Sequence, residues 1–221
     1  MRTQFTNELV ALTADLTQMC HITHEAAERV TDALVGADLT ATYEVFAHDE
    51  RLQAMYGACE ARTVVLLALQ APVARDLRHV VTAIQIAGEL SRVGWLLSRI
   101  ADQVYQSHPD PLAPAPILAV LAQMADLTAE STARAQRAVT TARHARDDAA
   151  AAGDMQELNR KLHSALAAGD HATEGAMTLA LIGDKLARTL DHTDRIERLI
   201  QFLDTGVPPT AQPIPEEEPA D

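Results

Sequence analysis

Apolar residues recur in steps of three and four along both halves of the chain. Phe5, Leu9, Leu12, Leu16, Met19, Ala26, Val30 and Ala33 form one stripe, interrupted at Thr23. Ile117, Leu121, Met124, Thr128, Ser131, Ala135 and Ala138 repeat the rhythm with smaller side chains. Such steps line up on one helix face, so the pattern predicts long helices with a packing seam. A cofactor-lining stripe has the same spacing, but core packing is its far commoner use. Proline marks where helices stop. Pro72 stands alone in the first half, and the other nine prolines cluster at 109–116 and 208–219. Six helices are predicted, at about 3–35, 39–70, 73–106, 117–145, 154–168 and 171–204. Gly36 and Asp38 end the first and cap the second, Pro72 separates the second from the third, and Gly153 and Gly169-Asp170 bracket the fifth.

The order helix, helix, helix occurs twice. At an offset of 96, Leu90-Ser91-Arg92 falls on Leu186-Ala187-Arg188 and Arg99-Ile100 on Arg195-Ile196. The expected fold is therefore all-α, two pseudo-symmetric three-helix bundles made by internal duplication. The first bundle covers 1–106, a linker 107–116 and the second bundle 117–206, and residues 207–221 read as a disordered, acidic, Pro-rich tail.

Composition sharpens this picture. Hydrophobic residues make up 48% of the 221 and aromatics only 3%, so the core has to be built from Leu, Ala, Val and Ile. That favours close-packed helices over sheets, which draw on β-branched and aromatic side chains. A formal net charge of −13 argues against a nucleic-acid backbone as partner. Cys20 and Cys59 have neither disulfide-framework nor metal spacing, which suits buried thiols in a reducing compartment. The N-terminus lacks a signal-peptide core, and no stretch of about 18 uncharged apolar residues occurs. A cytoplasmic protein without membrane insertion is expected.

Catalytic chemistry is not legible. There is no Gly-x-Ser-x-Gly elbow, Gly-rich phosphate loop or dinucleotide fingerprint. His21 and His24 share a helix face with Glu25 and Glu28 near by, but Glu-x-x-His and His-Glu-x-x-His do not occur, so the histidines read as scattered surface residues. Arg75, Arg78 and His79 open the third helix, either as a phosphate-binding helix start or as a solvated, ion-paired turn.

Three runs carry a family resemblance. Leu66-Leu67-Ala68-Leu69-Gln70-Ala71-Pro72-Val73-Ala74-Arg75-Asp76-Leu77-Arg78 is similar to the helix-to-helix turn of the first repeat of PhoU proteins, where Gln-x-Pro-Val-Ala leads into Asp-Leu-Arg. Glu89-Leu90-Ser91-Arg92-Val93-Gly94 resembles the Leu-Glu-Arg-Ile-Gly motif that follows, and Leu186-Ala187-Arg188-Thr189-Leu190-Asp191-His192 the Leu-Glu-Arg-Ile-x-Asp-His motif of the second repeat. The resemblance spans about residues 2–206 and, with the Ala- and Arg-rich composition, suggests an actinobacterial-type member.

This resemblance implies a non-enzymatic regulator that restrains phosphate uptake and the phosphate-starvation response. Its implied partners are the ATPase subunit of the phosphate ABC transporter, a phosphate-sensing histidine kinase and a second copy of the chain. Many members also hold multinuclear metal clusters with Glu/Asp-x-x-x-Asp pairs, whose carboxylates share one helix face. Here each pair is broken. Asp49 is followed by Gln53, Ser91 and Trp95 replace both acids of the third helix, Gly153 precedes Glu157, and Ala187 precedes Asp191. Asp49, Glu157 and Asp191 remain as a degenerate set of metal ligands, one per helix, so no cofactor is expected. Alternatives are a divergent relative with other partners, a metal-binding helical bundle, and a structural coiled-coil scaffold.

Overall fold

The computed structural model describes residues 2–70, 72–143, 149–169 and 173–208. Among these residues all regular structure is helical: α1 (Arg2–Gly36), α2 (Leu39–Gln70), α3 (Ala74–Ser107), α4 (Ala115–Thr141), α5 (Ala149–Ala168) and α6 (Thr173–Thr205). The predicted ends of α4 at 144–145 and of α6 at 171–172, Asp170, and the tail from 209 onward lie outside the described residues.

Local chemistry accounts for the boundaries. Asp38 caps α2 as expected, its Oδ1 accepting hydrogen bonds from the Thr40 and Ala41 amides at 2.7 and 3.3 Å. Gly36 is the last residue of α1, but the left-handed turn falls on Ala37, at φ 49°. Pro114 stands at the N-cap of α4 and Pro116 within its first turn, where a missing N–H costs nothing, so α4 starts at Ala115, two residues before the predicted start. The α5 start is a larger correction. Gly153 does not open that helix; it lies inside it, because the preceding alanines are the strongest helix formers and one glycine costs only about 1 kcal/mol.

Helices α1, α2 and α3 pack on one another, as do α4, α5 and α6, and the triples meet along α1–α4 and α3–α6. The predicted seams lie inside. From Leu12 to Ala33 every α1 seam residue is buried, and so is the whole α4 seam from Ile117 to Ala138. Thr23 fits its apolar stripe because its hydroxyl donates to the Met19 carbonyl at 2.8 Å. The buried side chains form two clusters, and each draws on both triples. One joins Ala26, Val45, Leu97, Met124, Leu162 and Leu186; the other joins Leu16, Leu52, Ile86, Ala138 and Ile196. The surface between the triples is therefore core.

Both cysteines are buried, unbonded thiols, and burial pushes Cys20 up to about 12. Helix α3 is the one described helix with the length and apolar content to cross a membrane, yet 67% of its apolar window is buried inside the protein, as in a core helix.

Two glycines mark the closest helix crossings. A Cβ on Gly94 of α3 would stand 2.6 Å from Leu52 of α2, and one on Gly183 of α6 would stand 2.5 Å from Leu162 of α5. Both leucines are fully buried and have no room to retreat. Gly57, by contrast, faces open space on α2. Gly94→Ala should lower stability by about 1–3 kcal/mol through overpacking. Gly57→Ala should raise it by about 0.5–1 kcal/mol through the lost entropy of the unfolded chain. Urea unfolding of the two variants beside wild type checks the opposite signs.

Candidate functional site

The three acids expected to hold a metal sit on three different helices. Asp49 is half-buried on α2, where its Oδ1 accepts a hydrogen bond from the Gln53 amide at 2.9 Å. Glu157 on α5 is ion-paired with Arg160 and with Lys161. Asp191 is exposed on α6. Among the described residues no three His, Cys, Asp or Glu side chains converge as a metal set.

The place of the first acidic pair is taken by a neutral clasp between α2 and α3. The Gln53 amide nitrogen donates to Asp49 and, at 3.1 Å, to the Ser91 carbonyl. The Ser91 hydroxyl donates back to the Gln53 amide oxygen at 2.7 Å. The Gln53 amide nitrogen is a donor and cannot ligate a cation, and its amide oxygen, which could, already accepts from Ser91, so a single carboxylate remains here. Trp95, one turn on from Ser91, is 53% exposed beside the clasp. This donor set does not fit a multinuclear metal cluster. Of the histidines, His21 faces Glu25 at 3.4 Å, while His24 faces Glu28 at 3.7 Å and holds the Thr132 hydroxyl of α4 at 3.1 Å.

The structure also assembles a charged site that sequence reading missed. Glu89 of α3 is only 5% exposed at the crossing with α6. His192 Nδ1 lies 2.6 Å from its Oε2, and Arg195 Nε and an Arg92 guanidinium nitrogen lie 2.9 and 3.9 Å from its Oε1. Burial by itself pushes the Glu89 carboxyl up; the His192 hydrogen bond, then the charges of His192, Arg195 and Arg92, outweigh it and hold the carboxyl below its ordinary value. Glu89 and His192 each belong to a run quoted above, but 103 residues separate them and no periodicity predicts that they meet. A second ion pair, between half-buried Arg134 of α4 and buried Glu197 of α6 at 3.6 Å, ties the second triple together.

Such a carboxylate contributes stability above its unfolded value of about 4.3, and that contribution is lost as the pH falls through its lower folded value. Glu89→Gln should cost about 1–3 kcal/mol at pH 7, where it removes charge-assisted hydrogen bonds. The gap to wild type should close as the pH drops below about 4. Urea unfolding of both proteins across that range is the measurement.

Comparison with known proteins agrees with this architecture. The model of the PhoU domain matches residues 16–104. The Mycobacterium leprae phosphate-specific transport system accessory protein PhoU homolog 1 is 33% identical over 97% of this chain and 99% of its own. The Mycobacterium tuberculosis PhoU homolog 2 is 32% identical over 95% of this chain and all of its own. The crystal structure of the phosphate transport system regulatory protein PhoU from Streptococcus pneumoniae superposes with a TM-score of 0.76 at 22% identity, covering 92% of this chain and 98% of that one. These relatives are accessory and regulatory proteins, and this chain is not an enzyme. On its near full-length identity to the mycobacterial proteins, the chain belongs to the PhoU family.

Proposed function

We propose that this protein regulates phosphate transport by docking to other proteins, restraining both phosphate uptake and the phosphate-starvation response. The observation that carries this reading is the 33% identity, over 97% of the chain, to an accessory protein of a phosphate-specific transport system. The surface supports it. Val64, Val65, Leu67, Leu69, Val73, Leu77 and Val81 are all exposed around the α2–α3 turn. An apolar concentration of this kind marks interaction sites on monomeric proteins. The partners in this reading are the ATPase subunit of the phosphate ABC transporter and a phosphate-sensing histidine kinase in the cytoplasm, with the protein itself a homodimer. Deleting the gene should raise phosphate uptake and switch on a starvation-promoter reporter in phosphate-replete medium. Wild-type levels of both, in a host without a second PhoU protein, would overturn the reading.

The same reading has the protein act without a multinuclear metal cluster. The Gln53–Ser91 clasp and the ion-paired Glu157 support it. Elemental analysis of untagged protein dialysed against a mild chelator should find less than one transition-metal ion per chain. More than one would return Asp49, Glu157 and Asp191 to the role of ligands, with their substitution as the next step.

A further inference from the structure

An apolar groove of about 460 Å³ opens where the N-terminal half of α1 meets the start of α3 and the ends of α4 and α6. Leu9, Val10, Ala83, Val139 and Leu203 line it, with His79 at its rim. Its size is that of a site for a short run of side chains, within the range of pockets that bury a small ligand. Cations stand beside it. Arg75 and Arg78 flank His79 closely enough to lower its pKa, behind the larger effect of burial, with Asp76 opposing them, and Arg143 follows the lining residue Ala142. The Nε of Arg78 is buried without a hydrogen-bond partner among the described residues.

The chain leaves α6 at this groove. Leu203 lines it, and a Cβ on Gly206, which has φ +76°, would stand 3.8 Å from the Arg78 guanidinium carbon. The remaining sequence is Pro209-Thr210-Ala211-Gln212-Pro213-Ile214-Pro215-Glu216-Glu217-Glu218-Pro219-Ala220-Asp221. It offers one large apolar side chain, Ile214, followed at once by three glutamates. We propose that this C-terminal segment is the groove's own occupant, with Ile214 seated between α1 and α4 and Glu216–Glu218 against Arg75, Arg78 and Arg143.

The lengths agree. The α1 wall from Thr6 to Thr17 runs about 17 Å at 1.5 Å per residue. Eight residues from Gly206 to Ile214, spaced as in an extended Pro-rich chain, reach about 25 Å. Five of the ten prolines lie at or beyond residue 208, and a proline-stiffened segment loses little conformational entropy on docking. Charge points the same way. In a chain of net −13 an acidic segment is repelled by most of the surface, and this basic rim is where it is received.

This inference stands independently of the function proposed above, and two measurements on the full-length chain test it. Amide hydrogen exchange should be about tenfold slower at Thr6–Thr17 in wild type than in Ile214→Asp, with an intermediate rate when Glu216, Glu217 and Glu218 are all changed to Lys. A Val10→Cys/Ile214→Cys chain should form an intramolecular disulfide under mild oxidation, whereas Tyr43→Cys/Ile214→Cys should not. Unchanged exchange in both tail variants, with no disulfide in the first pair, would sink the proposal. Protection of Thr6–Thr17 that is lost on dilution would assign the groove to a second copy of the chain and equally overturn it.

Discussion

Four long helices of this protein, α1, α3, α4 and α6, each have to bury apolar surface on more than one side with almost no aromatic volume to fill the gaps. Close approach is the available solution, since helices lacking bulky side chains gain dispersion contacts only when their backbones come near. Along the α4 seam Thr128, Ser131, Ala135 and Ala138 let α1 in, and Gly94 and Gly183 let Leu52 and Leu162 in. The two clusters that result run through both triples, so the halves are joined by the same packing that builds each of them.

Polar groups within such a core have to be satisfied, and the short side chains manage this locally. Thr23, Thr128, Thr189 and Thr193 donate to carbonyls three or four residues back, which lets hydroxyls occupy seam positions without distant partners. The buried Glu89, by contrast, takes its two shortest partners from another helix. Glu89 is held by His192, Arg195 and Arg92 at the α3–α6 crossing, and His24 reaches Thr132 across the α1–α4 crossing. These long-range ties are directional where the apolar seams are not, and they bias the triples toward one register.

The clasp between α2 and α3 uses the same chemistry. Gln53 and Ser91 exchange hydrogen bonds where the family resemblance implies paired carboxylates, so the two helices are joined here by neutral donors and acceptors. With Trp95 exposed beside it, this face presents an aromatic side chain to the outside.

The sequence by itself determined the number, order and approximate ends of the helices, because three-four periodicity, proline placement and the Asp38 cap are local properties of neighbouring residues. It also identified the buried faces of α1 and α4 and, through the runs at 66–78, 89–94 and 186–192, the family. It misplaced the start of α5, because a single glycine carries too small a penalty to stop an alanine-driven helix. Tertiary structure alone decided which residues meet across the chain: that Glu89 finds His192, that Gln53 is clasped to Ser91, and that both core clusters cross between triples. Those outcomes depend on how far each helix slides and turns against its neighbour, which a repeating seam of small side chains leaves open until the whole set packs together.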